Sequence, residues 1–454
     1  MAAIPAIRRS LVPGHFLRIL QRNPIPFLRK LARERGDAVQ FAIGRQKIVL
    51  LNHPDLTREV LVARHRSFHK SRVLQRAKIV LGEGLLTSEE EKHQRQRRLA
   101  QPAFHRDRIN RYASQMIATT SSLRDRWTDG ETVDMHAQMM RLTLSIVAQT
   151  LFGADVEKQG DEIGQALTDL IDLFPMLMNP MTPFFHRLPF PSTLRFRRAI
   201  DRLDQTIYSI INERRVDSAD RGDLLSMLLL AQDDEGGGGG MTDKQLRDEV
   251  MTIFLAGHET TSNALSWTWM LLAQHPAVVE EMLRVVDAVV GDRLPVPEDY
   301  PQLQYVEMVL AESMRLYPPA WAVSRLALED VEICGWLVPR DAVVIMSQAV
   351  MHRDPRYWTD PDRFDPMRFT PEARAARPKL AYFPFGAGPR VCIGEGFAWM
   401  EGVLLLATLS QRWRAELLTK EVKSRASITL RPAGGMAMRL HARRAFGGEQ
   451  VAAG

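Results

Sequence analysis

The segment from Phe383 to Gly394 constrains this chain more than any other, because it places three glycines around a single cysteine: Phe383-Pro384-Phe385-Gly386-Ala387-Gly388-Pro389-Arg390-Val391-Cys392-Ile393-Gly394. Glycines permit tight turns and close backbone approach. Such a loop can bring sulfur near a metal ion and point backbone N–H groups at it. An apolar run from Phe397 starts a helix just past Cys392, and a helix N-terminus stabilises a thiolate. The pattern predicts a metal-binding thiolate; the alternative is a buried, inert cysteine.

Composition excludes several classes of protein. Of 454 residues, 45% are hydrophobic and 25% charged, as in ordinary globular proteins. The 60 Lys and Arg against 54 Asp and Glu give a net charge of +6, too small to indicate a nucleic-acid partner. Cys334 and Cys392 lie far apart in a chain without a recognisable signal peptide. We therefore expect no disulfide framework and a reducing, cytoplasmic location.

The N-terminal lead, residues 1–30, contains only short apolar runs, interrupted by Arg8, Arg9, Pro13 and Arg18. A spanning helix needs roughly 20 apolar residues. We therefore expect no transmembrane anchor, while a peripheral membrane contact stays open. Residues 236–240 are five glycines, which predict a flexible surface loop between helices.

Apolar residues at three- and four-residue spacing predict that helices dominate. The longest predicted helix opens with Thr242-Asp243-Lys244-Gln245, a capping box, and is apolar on nearly all sides, so it should cross the core. The predicted helices are Leu56–Arg64, His105–Trp127, Met135–Leu151, Leu194–Arg215, Thr242–Gln274 and Gln302–Leu316.

Strand patterns are fewer and predict three hairpins. The first pairs residues 38–41 with 47–51 around Gly44. The second pairs 331–338 with 342–346, and the third pairs 428–430 with 437–440. Cys334 would be a small buried side chain in the second hairpin. The predicted fold class is mainly α with small peripheral β-sheets.

The cysteine loop resembles the haem-binding signature of cytochromes P450, Phe-x-x-Gly-x-Arg-x-Cys-x-Gly, at every fixed position. The resemblance covers about residues 13–440 and implies a single P450 domain over 1–454. Haem b (iron protoporphyrin IX) would lie between the long distal helix and the thiolate loop. Cys392 would be the iron ligand, and Arg390 would pair with a haem propionate. Further cofactor contacts implied here are Phe385, Gly386, Gly394 and Ala398.

Two further segments resemble the family's structural landmarks. Glu312 and Arg315 form Glu-x-x-Arg on one predicted helical face, followed by Leu316-Tyr317-Pro318-Pro319. Pro366-Met367-Arg368-Phe369 resembles the Pro-x-Arg-Phe segment. The resemblance implies a triad of Glu312, Arg315 and Arg368 that holds the thiolate loop. Met367 departs from the more common acidic residue, which puts one supporting contact in doubt.

The long helix carries Ala256-Gly257-His258-Glu259-Thr260-Thr261, which resembles the family's oxygen-activation motif. A mid-helix Gly257 costs roughly 1 kcal/mol relative to Ala, and a helix that bulges open beside a ligand would explain it. By resemblance, Thr260 hydrogen-bonds the activated oxygen species and Glu259 helps to feed protons. The alternative for Thr260 is a hydroxyl bonded to the carbonyl four residues back.

Propionate and substrate contacts are also placed by resemblance. His93 and Arg97 face one way on a helix beginning near Lys92, and Arg325 is another candidate propionate partner. Ala256 would contact haem as well. The proposed pocket walls are mostly apolar, which favours a hydrophobic substrate. They are Leu85, Leu86, Ala256, Thr260, Ala322, Val323 and Met436.

The segment 173–185 is rich in Met, Phe and Pro, and three interpretations stay open: a lid, a membrane contact, or a loop covering the core. The implied function is O2-dependent hydroxylation of a fatty acid, terpenoid or steroid-like compound by a monomer. Electrons would come from a separate ferredoxin or flavodoxin with its reductase. The alternatives are a peroxide-driven haem enzyme and a non-enzymatic haem-binding or gas-sensing protein.

Overall fold

The computed structural model describes residues 2–6, 23–153, 160–173, 190–216, 221–230 and 240–443. Most of the N-terminal lead, residues 236–239 of the glycine loop and residues 174–185 of the Met-rich segment lie outside these ranges.

Helices dominate the N-terminal half of the described chain, and a π-helical turn, Glu59–Ala63, extends the second of them. The predicted helix at 56–64 is therefore present but partly π-helical. These helices are α1 (Ile25–Arg35), α2 (Pro54–Arg58), α3 (Arg72–Arg76), α4 (Lys78–Leu81), α5 (Glu90–Ala100), α6 (Arg106–Arg126), α7 (Met135–Phe152), α8 (Gly160–Leu173), α9 (Pro191–Val216) and α10 (Leu224–Leu230).

The C-terminal half is organised around one long helix, α11. Its N-cap is Thr242, and the capping box with Gln245 forms as predicted. The helices of this half are α11 (Asp243–Gln274), α12 (Pro276–Val289), α13 (Gln304–Leu316), α14 (Gln348–Met351), α15 (Pro371–Ala375) and α16 (Glu395–Ser410).

Within the ranges that the structure describes, four small sheets lie around the helices. The largest has the order β2-β3-β9-β6-β4, and the others are β1-β8-β7, β10-β13-β5 and β11-β12. The strands are β1 (Ala2–Ala3), β2 (Ala38–Ile43), β3 (Gln46–Leu51), β4 (Phe68–Lys70), β5 (Thr132–Asp134), β6 (Val323–Ala327), β7 (Val331–Ile333), β8 (Trp336–Val338), β9 (Val343–Met346), β10 (Trp413–Leu417), β11 (Ser424–Ala426), β12 (Leu430–Pro432) and β13 (Ala437–Ala442).

The first predicted hairpin, β2–β3, is confirmed, but the other two pairings are wrong. Strand β7 turns back onto β8 through Cys334 and Gly335, while β9 pairs with β3 and β6. Strand β12 pairs with β11, and β13 pairs with β10 and β5. Cys334 is exposed in its turn with φ +45°, so its predicted burial is also wrong.

Helix α11 crosses the main core and packs against α7, α9, α13 and α16. It stays α-helical past Gly257, so the predicted opening there is not seen. A Cβ on Gly257 would lie 3.0 Å from Val147 Cγ2 of α7, and close helix packing therefore explains the glycine. Within the described ranges, no helix combines the length and apolarity that crossing a membrane requires.

Candidate haem-thiolate site

The cysteine loop is closed by its own backbone and packed against the N-terminal region. Cys392 N–H donates to Phe385 O at 3.0 Å. Gly386 and Gly388 have φ of +76° and +72°, and a Cβ on Gly388 would lie 2.0 Å from Leu61 O. The third glycine, Gly394, is the N-cap of α16, and its N–H donates to the Cys392 thiol. The loop therefore presents one sulfur with a backbone donor aimed at it.

Cys392 is exposed, yet its thiol is desolvated by surrounding protein, which raises its pKa. The sulfur therefore faces an interior cleft rather than bulk solvent. The Gly394 N–H and the Arg97 charge lower this pKa, while the Glu395 charge raises it; burial is the largest effect. A free thiol in this position stays protonated at neutral pH, and a bound metal cation would displace the proton.

Basic side chains converge beside the loop, and we call them the cation cluster: Lys70, His93, Arg97, Arg325 and Arg390. Arg97 Nη1 donates to Val391 O at 2.7 Å, and Arg390 Nη1 donates to Ser88 O at 3.0 Å. Lys70 Nζ donates to Leu85 O at 2.9 Å and to Ser88 O at 2.8 Å. Lys70 and Arg325 face each other across β4 and β6.

The charges in the cation cluster are out of balance. Burial, and then repulsion from Arg390, lowers the pKa of Lys70 to about 6. Burial and the same neighbours lower the pKa of His93 to about 3. Glu89 pairs with Arg390 and also accepts from Lys70 N–H at 2.6 Å, and Glu249 contributes a weaker attraction to Lys70. Buried positive charge in excess calls for an anionic ligand, and the two propionates of haem fit this requirement.

We infer that α11 forms the opposite wall of this cleft, because it packs against α16, which begins next to Cys392. Ala256 is exposed and Thr260 half-buried within a helix that is otherwise mostly buried. Thr260 Oγ1 donates to Ala256 O at 2.7 Å, so its hydroxyl retains acceptor capacity toward the cleft. Glu259 is buried on another face, and Thr429 Oγ1 donates to its Oε1 at 2.5 Å. Burial raises the pKa of Glu259.

Glu312, Arg315 and Arg368 are brought together in full. Arg315 binds Glu312 in bidentate fashion at 2.6 and 2.8 Å, and Arg368 Nε lies 3.4 Å from Glu312 Oε1. Arg315 also donates to backbone carbonyls of His352, Pro361 and Arg363 at 2.6 to 3.0 Å. Both Glu312 and Arg315 are fully buried. The triad therefore ties α13 to the segment that leads into the cysteine loop.

The proposed pocket residues do not all share one environment. Leu86 is 39% exposed, Ala322 and Val323 are half-buried, and Leu85 is buried with its carbonyl on Lys70. Met436, by contrast, is buried, and its N–H donates to Asp134 beside β5. The structure thus leaves Met436 among core contacts.

Comparisons with known proteins agree with this geometry. The family model described as cytochrome P450 matches residues 5–437. The chain belongs to the cytochrome P450 family. Cyclooctatin synthase of Streptomyces melanosporofaciens is 39% identical over 88% of this chain and 87% of its own. Pentalenene oxygenase of Streptomyces avermitilis is 34% identical over 89% of each chain.

The fold agrees as well: the crystal structure of the cytochrome P450DA heme domain superposes with a TM-score of 0.88 at 29% identity, over 98% of both chains. This P450 is accordingly a haem-dependent monooxygenase of mainly helical fold with small sheets.

Sequence reasoning missed three residues of the site: Lys70, Glu89 and Thr429. Lys70 joins the cation cluster through the pairing of β4 with β6. In that pairing it lies opposite Arg325, which is 255 positions later in the sequence. Glu89 stands in the acidic run before α5, where it reads as an ordinary helix-start residue. The sequence around Thr429 indicates only a strand, and no local pattern links this residue to Glu259.

Proposed function

We propose that this P450 hydroxylates a hydrophobic, terpenoid-like substrate, with Cys392 as the iron ligand and electrons from a separate ferredoxin or flavodoxin system. The observation that carries the proposal is the pairing of one desolvated thiol and excess buried cations on one side of the cleft with Thr260 on the other, next to Glu259, which is buried on another face of α11. We further propose that residues 1–454 act as one domain.

In this proposal, haem supplies the redox centre at which dioxygen is activated. Cys392 holds the iron, and the Gly394 N–H tunes the sulfur by donating to it. Arg97, Arg325, Arg390 and His93 would bind the propionates, and Lys70, which lies opposite Arg325 in the same cluster, would join them. The triad Glu312, Arg315 and Arg368 holds the loop in place without touching the reacting atoms.

Proton supply is assigned to α11. Splitting dioxygen consumes protons, and a buried acid beside a half-buried hydroxyl delivers them in a controlled way. Burial raises the pKa of Glu259, so that it can hold a proton closer to neutral pH than an exposed glutamate. Thr260 would hold a hydrogen bond at its hydroxyl on the cleft side, and the small, exposed Ala256 leaves space beside it.

The substrate class is supported by the relatives and by the pocket. Three relatives are named for the compounds cyclooctatin, cyclooctat-9-en-7-ol and pentalenene. The proposed walls Leu86, Ala322 and Val323 are apolar and partly exposed to the cleft. Apolar walls with few polar groups suit a rigid hydrocarbon skeleton. A reducing compartment such as the cytoplasm suits a reaction that needs Cys392 free.

The iron ligand is tested with both cysteines. The reduced carbon monoxide complex of the parent protein should show the strongly red-shifted band of a thiolate ligand. Cys392→His should lose that band while retaining haem, and Cys334→Ser, at the exposed turn, should keep it. A Cys392→His protein that keeps the thiolate band would refute the assignment.

Electron delivery is proposed at the α5–α6 face. A Cβ on Gly396 would lie 3.1 Å from Ile109, and one on Gly394 would lie 3.7 Å from Phe104, so this segment packs on the thiolate side. Arg98, Arg106 and Arg111 are exposed there. An acidic ferredoxin would be steered toward such a basic face.

Turnover with a surrogate ferredoxin, its reductase and NADPH should exceed turnover with hydrogen peroxide alone. Faster turnover with peroxide would favour a peroxygenase. An absence of turnover in both systems would favour a non-enzymatic role. Arg98→Glu with Arg106→Glu should raise the KM for ferredoxin and leave peroxide-driven product unchanged. Arg33→Glu with Arg35→Glu, two exposed residues of α1, is the matched charge-reversal control.

Substrate class is tested by spectral titration with pentalenene, lauric acid and progesterone, watching displacement of the iron's water ligand. We expect pentalenene to bind most tightly. Tighter binding of lauric acid or progesterone would replace the terpenoid assignment with a fatty-acid or steroid one. Ala256→Leu should weaken binding of the preferred compound, since it narrows the cleft.

A further inference from the structure

One face of α11 is bonded to the turn between β11 and β12, residues 427–430, which we call the C-terminal turn. Glu259, Asn263 and Trp267 lie four residues apart and therefore share this face. Trp267 Nε1 donates to Leu430 O at 2.9 Å, and Asn263 Nδ2 donates to Thr429 Oγ1 at 3.2 Å. Thr429 Oγ1 in turn donates to Glu259 Oε1 at 2.5 Å.

These bonds form a chain with a fixed direction. A threonine hydroxyl has one proton to donate. Because the Asn263 amide donates to Thr429 Oγ1, the Thr429 proton is directed to Glu259. Consecutive hydrogen bonds strengthen each other in a buried setting, and all three residues are at least 96% buried, with exposures of 4% for Glu259, 0% for Asn263 and 4% for Thr429.

The C-terminal turn is also bonded to the segment that leads into the predicted pocket residues Ala322 and Val323. Trp321 Nε1 donates to Ser427 O at 2.9 Å, and Leu430 N–H donates to Pro319 O at 2.9 Å. Pro319 and Trp321 immediately precede the wall residues Ala322 and Val323. Ile428, at the tip, is 40% exposed. The turn thus lies between a pocket wall and the acid of α11.

We propose that Thr429 is a positioning residue for proton delivery: with Asn263 donating to it, its hydroxyl holds the Glu259 carboxyl in one orientation. The proposal rests on the proposed function, since it requires Glu259 to supply protons. Glu259 must release a proton and regain one in each turnover. A donor fixed on its carboxyl keeps both states accessible inside a buried site.

The charged groups around Glu259 affect its pKa less than burial and the Thr429 hydroxyl do. Burial raises its pKa, and the Thr429 hydroxyl and then the Arg431 charge of β12 oppose that rise. From α7, His136 has its pKa lowered to about 4, mainly by burial, so it is neutral near pH 7. Neighbouring His258, with a pKa of about 4, is also neutral, and burial raises the pKa of Glu401 on α16 to about 8.

Thr429→Val in the haem-loaded protein removes the hydroxyl and keeps the shape. With surrogate ferredoxin, its reductase and pentalenene, kcat should fall about tenfold, because a hydrogen bond to a charged group is lost. The KM should stay within about twofold. The alkaline limb of the pH–kcat profile should move up by about one pH unit, since Glu259 becomes a weaker acid. Thr429→Ser should restore both values.

Three variants serve as controls. Thr268→Val removes a buried hydroxyl bonded to Ala264 O on the same helix, and it should leave kcat and the pH profile unchanged. Ile428→Ala should change the KM without moving the pH profile. Asn263→Leu removes the group that directs the Thr429 proton, so it should reproduce the pH shift; it provides the test if Thr429→Val does not retain haem.

The proposal is overturned if Thr429→Val keeps the parent's pH profile, whether or not kcat falls, while Glu259→Gln slows turnover. A failure of the proposed function looks different: Glu259→Gln would then have no effect, or the parent protein would lack the thiolate band. Haem content and the carbon monoxide spectrum of every variant separate these outcomes from misfolding.

Discussion

Two buried charged regions of this P450 are built in opposite ways. In the triad, Glu312 accepts from Arg315 and Asp365 N–H and lies near Arg368, and Arg315 spends its remaining donors on carbonyls. In the cation cluster, Glu89 pairs with Arg390 and accepts from Lys70 N–H, and repulsion among the basic residues contributes to lowering the pKa of Lys70 and His93.

The difference separates a structural site from a ligand site. A buried group of charges that satisfies itself has nothing left to offer a ligand, and it costs stability mainly when one partner is removed. A buried group with excess charge is destabilising alone and becomes favourable when an anion arrives. We infer that the triad stabilises the fold, whereas the cation cluster would gain stability only by binding an anion, such as the haem propionates proposed above.

The largest expected effect breaks the balanced region. Glu312→Gln leaves Arg315 and Arg368 buried without a counter-charge and should lower the free energy of unfolding by about 3–5 kcal/mol. Urea unfolding of the haem-loaded protein, followed by fluorescence, measures it. Glu307→Gln, on the same helix, breaks the partly exposed pair with Arg374 and should cost less than about 1 kcal/mol. Equal losses in both variants would contradict a special role for the triad.

Removing one charge from the cation cluster should weaken haem binding without lowering the stability of the ligand-free protein. Arg325→Leu removes one cation whose own pKa is lowered to about 10 by burial and then by Arg390. The ligand-free protein should be no less stable, because repulsion is relieved. Haem transfer to excess apomyoglobin should accelerate by about ten- to a hundredfold, since a charge-assisted bond to a propionate is lost. Arg340→Leu, on an exposed turn, is the control. A lower stability of the ligand-free Arg325→Leu protein, without faster haem transfer, would refute the comparison.

The excess positive charge of the cation cluster should also make the stability of the ligand-free protein depend on pH. The pKa of Lys70 is about 6 in the fold and 10.5 for the ordinary side chain, so between these values the unfolded chain binds more protons. Stability of the ligand-free protein attributable to Lys70 therefore rises with pH across that window and is lost as pH falls toward 6.

Lys70→Met should flatten that slope by up to about 1.4 kcal/mol per pH unit between pH 7 and 9. The buried carboxyls Glu249 and Glu401, with pKa values raised to about 7 and about 8 mainly by burial, slope the other way, so the difference between parent and variant is the quantity to measure. An unchanged slope in urea titrations at several pH values would show that Lys70 is charged in the fold.

Features that depend on residues close together in the sequence could be predicted from it, whereas features that depend on distant pairings could not. Helix α11 begins where its capping box predicts, because Thr242 and Gln245 are local partners. The cysteine loop was recognisable for the same reason. Pairing of β9 with β3, by contrast, joins residues about 295 positions apart, as in Ile48 with Val343, and no local pattern encodes it. Lys70 reaches the cation cluster, and Thr429 reaches Glu259, through such long-range pairings.

The smallest expected effect concerns Met367, which replaces the more common acidic residue beside the triad. Its side chain is 56% exposed, and its N–H is bonded to Asp365 Oδ1 at 3.1 Å. Both Glu312 oxygens already accept hydrogen bonds, and the one buried triad atom without such a partner is Arg368 Nε, 3.4 Å from Glu312 Oε1. Because the Met367 side chain points largely to solvent, Met367→Glu should change the free energy of unfolding by less than about 0.5 kcal/mol and leave haem transfer unchanged. A gain of several kcal/mol in urea unfolding would mean that Arg368 needs an acidic partner beyond Glu312, and the contrast between the balanced triad and the unbalanced cation cluster would have to be redrawn.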